Sequence, residues 1–338
     1  MQRSSVTMKD IAKALDVSVM TVSRAFKADS SVNEATRKKV LQAARDLGYV
    51  FDSTAANLRT QTTNFVAVII PSINNANFAD TVGALSDRLA EAGMQVLLGN
   101  SGYNVEDEEV LIEQLLRRKP DAIVVTGGRH SDHGRKLLMN AGIPVIETWD
   151  LPADPIQYVV GFSNAETMHA LVDHFVAKGK TRIAFVGGDS NADTRGADRR
   201  KGFIAAMERH GLDAGRLINA GQAPLGMREG ARAMAELLDT MPDTQAVIGV
   251  ADPVAFGALS ECQRRGVCVP GDMSIAGFGA YEISAVSHPT LTTIDPQPRR
   301  IGLEAAELIL RLRGTEPTST PEPQITRIDW SICAAQSS

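Results

Sequence analysis

The stretch VSVMTVSRAF, Val17 to Phe26, and the Lys27 that follows present Val19, Met20, Thr21, Ser23, Arg24 and Lys27 outward, with Val22 and Phe26 turned inward. Such a set can work against a nucleic-acid groove. Cations pair with phosphates, hydroxyls serve phosphates or base edges, and an apolar methionine suits a thymine methyl. The same pattern would also build a plain three-helix bundle with nothing to read, so the surrounding elements matter. TMKDIAKAL, residues 7–15, puts Met8, Ile11, Ala12 and Leu15 on one helical stripe, with Thr7 as cap and Asp10 three residues on. Ser18 caps a second helix. Asn33 caps a third, in which Val40, Ala43, Ala44 and Leu47 form the apolar stripe and Gly48 closes the end. The break at Asp16-Val17 is too short for helices lying side by side, which spells helix-turn-helix.

A second group of candidates lies just past the ends of short apolar runs. FVAVIIP, MQVLLGN, DAIVVTG, IPVIET, YVVGF, RIAFVGG, LINAG, AVIGVAD and MSIAGFG read as strands, with helical patterns between them. Alternation of this kind means parallel sheets covered by helices on both faces. The runs divide near Val160 to Phe162, predicting two doubly wound lobes, and the chain is expected to recross near Leu291 to Pro296 and again around Glu322. In such sheets ligands sit beyond the carboxyl ends of the strands. Asn77 and Phe78, Arg129, Glu147, Trp149 and Asp150, Ser163 and Asn164, Asp189, Arg195 and Arg199, and Asp252 occupy such places. The flat face of Trp149 suits the C–H surface of a sugar, unless it is lobe core. Arg199 suits a carboxylate gripped bidentately, unless it only forms a surface ion pair.

VTMKDIAKALDVSVMTVSRAFKADSSVNEATRKKVLQAARDLGYVFDSTAANLRT resembles the head and hinge of the LacI/GalR family of bacterial repressors, and the likeness runs on through most of the chain. It implies an α/β fold: an N-terminal helix-turn-helix head plus a two-lobed doubly wound core like that of periplasmic binding proteins. The expected boundaries are a head at 1–51 and a hinge helix and linker at 52–64. The N-terminal lobe takes 65–161 and 291–321, and the C-terminal lobe takes 162–290 and 322–338. The resemblance assigns DNA contacts to Thr7, Ser18, Val19, Met20, Thr21, Ser23, Arg24, Lys27, Ala55 and Leu58. Leu58 is expected as a wedge between base steps of the minor groove, although it could simply tuck against the body. The effector positions it implies include Asn77, Phe78 and Arg199, the last standing three residues before Gly202-Phe203. Asp16 departs from the Gly that relatives usually place in the turn, but Asp tolerates a left-handed backbone. Ala251-Asp252 and Gly279-Ala280 depart where many sugar-sensing relatives carry Asn and Asp, which speaks against a neutral aldopyranose. VSVMTVSRAF, PVIETWDLP, VGFSNAET and GFGAYEI resemble the gluconate-utilisation branch. The resemblance thus implies a repressor of sugar-acid catabolic genes that leaves a palindromic operator when gluconate or a similar acid binds between the lobes. Glu147, Trp149, Asp150, Arg195, Arg199 and Asp252 would join Asn77 and Phe78 in holding it. Another sugar or keto-sugar acid, or a ligand acting as corepressor, would use the same parts.

Composition fits a DNA-reading head on an acidic body. Residues 1–62 hold ten Lys/Arg against six Asp/Glu, and the remaining 276 hold 25 against 34. No apolar run reaches the length of a membrane span, and MQRSSVTMKD lacks the apolar stretch of a secretory signal, so a cytoplasmic protein without membrane contact is expected. That also speaks against a transport receptor. Cys262, Cys268 and Cys333 show no metal-ligand spacing, and no metal or cofactor is expected. His130-x-x-His133 is read as solvated loop and helix surface. No G-x-G-x-x-G follows the first strand, and neither a P-loop nor a G-x-S-x-G elbow occurs, so no enzyme is expected. Two heads on a symmetric homodimer would read the two halves of a palindrome. ITRIDWSICAAQSS shows no heptad of leucines for a tetramerising helix.

Overall fold

The computed structural model of the chain describes residues 6–26, 32–50, 62–188, 193–313 and 322–338. It divides into two compact units, Met1–Thr62 and Thr63–Ser338. In the first, helices α1 (Met8–Leu15), α2 (Val19–Ala25) and α3 (Glu34–Leu47) enclose Ile11, Ala12, Val22, Ala25, Val40 and Ala44. Each helix begins at its expected cap. The Asp10 carboxylate accepts from the backbone N–H of Thr7 at 2.8 Å and from its hydroxyl at 2.7 Å. The Thr21 N–H donates to Ser18 Oγ at 3.0 Å, and the Thr36 N–H to Asn33 Oδ1 at 2.8 Å. Asp16 takes the left-handed backbone of the turn, with φ +51°. Leu47 does not complete the stripe of α3. It is 41% exposed, because the chain reverses at Gly48 and Tyr49 packs there instead, its ring 5.8 Å from that of Phe26.

In the second unit, β1 (Phe65–Ile70), β2 (Gln95–Asn100), β3 (Ala122–Thr126), β4 (Val145–Thr148) and β5 (Tyr158–Gly161) form a parallel sheet. Successive residues of β1 feed opposite faces: Val66, Val68 and Ile70 enter one apolar core, Ala67 and Ile69 the other. A second parallel sheet has the order β7-β6-β8-β9, from β6 (Ile183–Gly187), β7 (Leu217–Asn219), β8 (Ala246–Gly249) and β9 (Ser274–Ala276). Helices lie between the strands, as the alternation of patterns predicts. Gly202 shows how close two of them come. A Cβ there would meet the backbone of Ala165, its carbonyl carbon at 2.8 Å, so the helices Asn164–Ala177 and Thr194–Arg209 approach nearly backbone to backbone.

One boundary differs from expectation. Not all of residues 322–338 belong to the C-terminal lobe: β11 (Gln324–Arg327) lies parallel to β5 and extends the first sheet at that edge. The chain crosses only after Ile328, whose N–H donates to Gly161 O at 2.8 Å. Thereafter β12 (Ser331–Cys333) pairs antiparallel with β10 (Thr293–Asp295). QITR is an edge strand with mostly exposed side chains, so it lacks the apolar run that marks the other strands.

His130 also departs from expectation. Its side chain is fully buried, with Nδ1 on a carboxylate oxygen of Glu108 and Nε2 3.6 Å from Oε1 of Glu147, whereas His133 is exposed. Burial alone would depress the imidazole, but the hydrogen bond to Glu108 and the nearby carboxylate of Glu147 outweigh it and raise its pKa to about 9. An imidazolium held in this way stabilises the fold fully below the unfolded value near 6.5, and the contribution disappears as pH rises through 9. Urea unfolding of the wild type should therefore lose roughly 2–3 kcal/mol between pH 6.5 and 9 that His130→Gln does not lose. Equal pH slopes for the two proteins would show that folding does not raise the imidazole pKa.

Candidate functional site

The head presents one candidate surface. Val19 is 40% and Met20 62% exposed, and Thr7, Ser18 and Arg24 are exposed beside them. An apolar side chain that open at the start of a helix contributes little to the head's own core. Thr21 and Ser23 are half-buried, and the Thr21 and Ser18 hydroxyls lie 2.9 Å apart, so Thr21 serves the cap as well as the surface. Lys27, Ala55 and Leu58 lie outside the described residues, as does most of the 52–64 linker. The described part of the surface thus offers a cation, hydroxyls and an apolar tip on one short helix.

The core holds a cavity of about 380 Å³ between its two lobes, beyond the carboxyl ends of the strands. Five of the residues expected there line it: Asn77, Phe78, Trp149, Arg195 and Arg199. Asn77 and Phe78 open the helix Ala76–Glu91, whose cap Asn75 accepts from both their N–H groups. Arg195 and Arg199 stand one turn apart on the helix Thr194–Arg209 and so share a face. Arg195 lies 5.5 Å from the centre of the Phe78 ring, donates from Nη1 to Thr126 O at 3.2 Å and stands 3.8 Å from Asp193. Arg199 is stacked 3.5 Å from the centre of the Phe278 ring. Its Nε donates to Asn164 Oδ1 and its Nη1 to Val250 O, each at 3.0 Å. Among the described residues it makes no ion pair. Burial pushes its pKa down to about 10, which still leaves it charged at neutral pH.

Trp149 is lobe core more than platform. It is 2% exposed, edge-on to Phe78 and Phe162, and its Nε1 donates to Thr81 Oγ1 at 3.2 Å. Trp149 lines the cavity, but at 2% exposure it offers little open face for stacking on a sugar. Three expected carboxylates do not line the cavity at all. Glu147 shares the face of β4 with Val145, away from Ile146 and Trp149, and its Oε2 accepts from the Ile156 N–H at 2.7 Å. Asp150 folds back on its own loop, accepting from the Leu151 N–H at 2.9 Å, and burial raises its pKa. Asp252 is completely buried, accepting from Thr293 Oγ1 at 2.6 Å and from the Tyr281 N–H at 2.9 Å. Burial raises its carboxyl to about 6 in spite of those bonds.

Sequence reading passed over Asn75, Tyr103, Asp193, Glu229 and Tyr281, all of which line the cavity. The rule that found Trp149 applies equally to Tyr103 and Tyr281, which follow the ends of β2 and β9. Several contacts tie the lobes together around the cavity. Besides the Arg195 bond to Thr126 O, Arg129 donates to Thr194 O at 3.0 Å and pairs with Asp198, and the Tyr281 hydroxyl donates to Asn75 Oδ1 at 2.8 Å.

Residues 7–52 match the bacterial regulatory proteins of the lacI family, and residues 172–332 match the periplasmic binding protein-like domain. The HTH-type transcriptional regulator GntR of Pseudomonas aeruginosa is 33% identical over 306 residues, 90% of this chain and 89% of that protein. A LacI family transcriptional regulator from Silicibacter pomeroyi is 38% identical, covering 81% of this chain and 98% of that one with a TM-score of 0.76. The transcription regulator GntR from Chromobacterium violaceum is 33% identical, with the same coverage and a TM-score of 0.73. The capped three-helix head, the two parallel sheets with a cavity between them and these likenesses agree: the chain belongs to the LacI family and is a DNA-binding transcriptional repressor, not an enzyme.

Proposed function

We propose that the protein represses sugar-acid catabolic genes of the gluconate type and leaves a palindromic operator when a small polyhydroxy acid fills the interlobe cavity. The observation that carries the ligand class is Arg199. It is a buried guanidinium whose hydrogen bonds within the described residues go to a neutral amide and a neutral carbonyl, with an aromatic face beneath it. A buried cation in no direct ion pair is costly, and a carboxylate supplies both the charge and paired acceptors. The segments PVIETWDLP, VGFSNAET and GFGAYEI support the gluconate branch, and the absence of Asn and Asp at positions 251 and 279 speaks against a neutral pyranose. A homodimer in the cytoplasm would place two heads on the two operator half-sites. The ligand shifts that state only by its preference for one arrangement of the lobes.

For the head, Arg24→Ala should weaken binding to the palindromic operator by at least tenfold, since a good base contact is worth about 1–3 kcal/mol, while gluconate binding stays unchanged. Gel shifts at near-physiological salt, run against a nonspecific duplex, decide this. Undiminished operator affinity would remove Arg24 from the interface. For the cavity, calorimetry on the wild type should show gluconate or a keto-gluconate binding well above glucose. Arg199→Lys, which keeps the charge but loses the paired donors, should cost about 2–4 kcal/mol of that affinity and leave operator release insensitive to the acid. Comparable affinity for glucose and gluconate would overturn the sugar-acid assignment without touching the repressor.

A further inference from the structure

Tyr103 and Tyr281 form a second polar feature of the cavity, distinct from its arginines. Tyr281 follows β9 in one lobe, yet its hydroxyl donates to Oδ1 of Asn75 in the other. That oxygen is already occupied. As helix cap it accepts from the N–H groups of Asn77 at 3.1 Å and Phe78 at 3.4 Å. The Tyr103 side chain lines the same cavity. A carbonyl oxygen has two lone pairs, so one oxygen here confronts more donors than it can serve well. Both phenols are largely buried, and burial raises their pKa values, so both remain donors at neutral pH.

Both rings are held in place. Tyr103 takes a left-handed backbone, φ +62°, which is unfavourable for a bulky L-residue and persists only where the surroundings impose it. The Tyr281 loop is pinned by Asp252, which accepts the Tyr281 N–H and the Thr293 hydroxyl. An apolar occupant, or a carboxylate with nothing attached, would leave these donors short of acceptors. Hydroxyl oxygens would satisfy them.

We propose that Tyr103 and Tyr281 are the specificity residues of the cavity, donating to the hydroxyl oxygens of a polyhydroxy acid whose carboxylate lies at Arg199. The assignment rests on the sugar-acid reading above. It also gives the occupant a mechanical effect, because it takes over the Tyr281 donor and replaces a direct lobe-to-lobe bond with one that runs through the ligand.

The test is calorimetry with D-gluconate and with hexanoate, a six-carbon acid lacking hydroxyls, on the wild type, Tyr103→Phe, Tyr281→Phe and Arg199→Lys. The Phe variants keep the rings, and an unchanged thermal midpoint without ligand checks their fold. The wild type should prefer gluconate to hexanoate. Each Phe variant should weaken gluconate by about tenfold, the scale of one hydrogen bond lost in a buried site, and leave hexanoate unchanged. Gluconate affinity equal in the wild type and both Phe variants, but lost in Arg199→Lys, would overturn the tyrosine assignment and leave the sugar-acid reading standing. Hexanoate binding as tightly as gluconate would also overturn it. A wild type that prefers no sugar acid to glucose would remove both.

Discussion

A guanidinium taken out of water must be given acceptors, and the cavity is organised around how Arg199 receives them. Its partners are Asn164 at the start of one helix, Val250 at the end of β8 and the face of Phe278 beyond β9. These come from three separate segments of one lobe, and Gly202 lets the helices carrying Arg199 and Asn164 approach almost to backbone contact. None of the partners carries a charge. Two of its donors are used on neutral oxygens and the group stays positive, which is the state that favours an anion over a neutral sugar.

The carboxylates nearby are spent on the scaffold. Glu147 and Glu108 hold His130 beneath the first sheet, Asp150 braces its own loop, and Asp252 anchors the loop that carries Tyr281. A buried carboxylate engaged by its own fold is held away from the ligand. Its value to the site is that it sets where the next side chain points. Asp252 acts on the cavity in this way through Tyr281, which reaches across to Asn75.

The head was legible because what shapes it is local. Thr7, Ser18 and Asn33 cap helices within three residues of themselves, and Asp16 and Gly48 supply the left-handed turns where they stand. The core strands were equally plain, since a strand buried on both faces is a continuous apolar run. β11 was not, because an exposed edge strand has no such run and its pairing with β5 joins residues more than 160 positions apart in the chain.

The cavity was legible only in part. Knowing that ligands sit past strand ends picks out loops, but not which side chain in a loop turns inward. In ETWDLP the strand's period of two sends Glu147 to the far face, and Trp149, at φ +68°, sends its ring into the aromatic core with Phe78 and Phe162. Sequence by itself determined the capped head, the alternation of strands and helices, and the pair of arginines one turn apart on a shared helix face. Tertiary structure decided which groups meet: Arg199 with neutral partners, His130 between two glutamates, Tyr281 with Asn75 across the cleft. The reason is physical. Capping and periodicity act over a few residues, whereas burial and the charge state it imposes depend on segments that only the folded chain brings together.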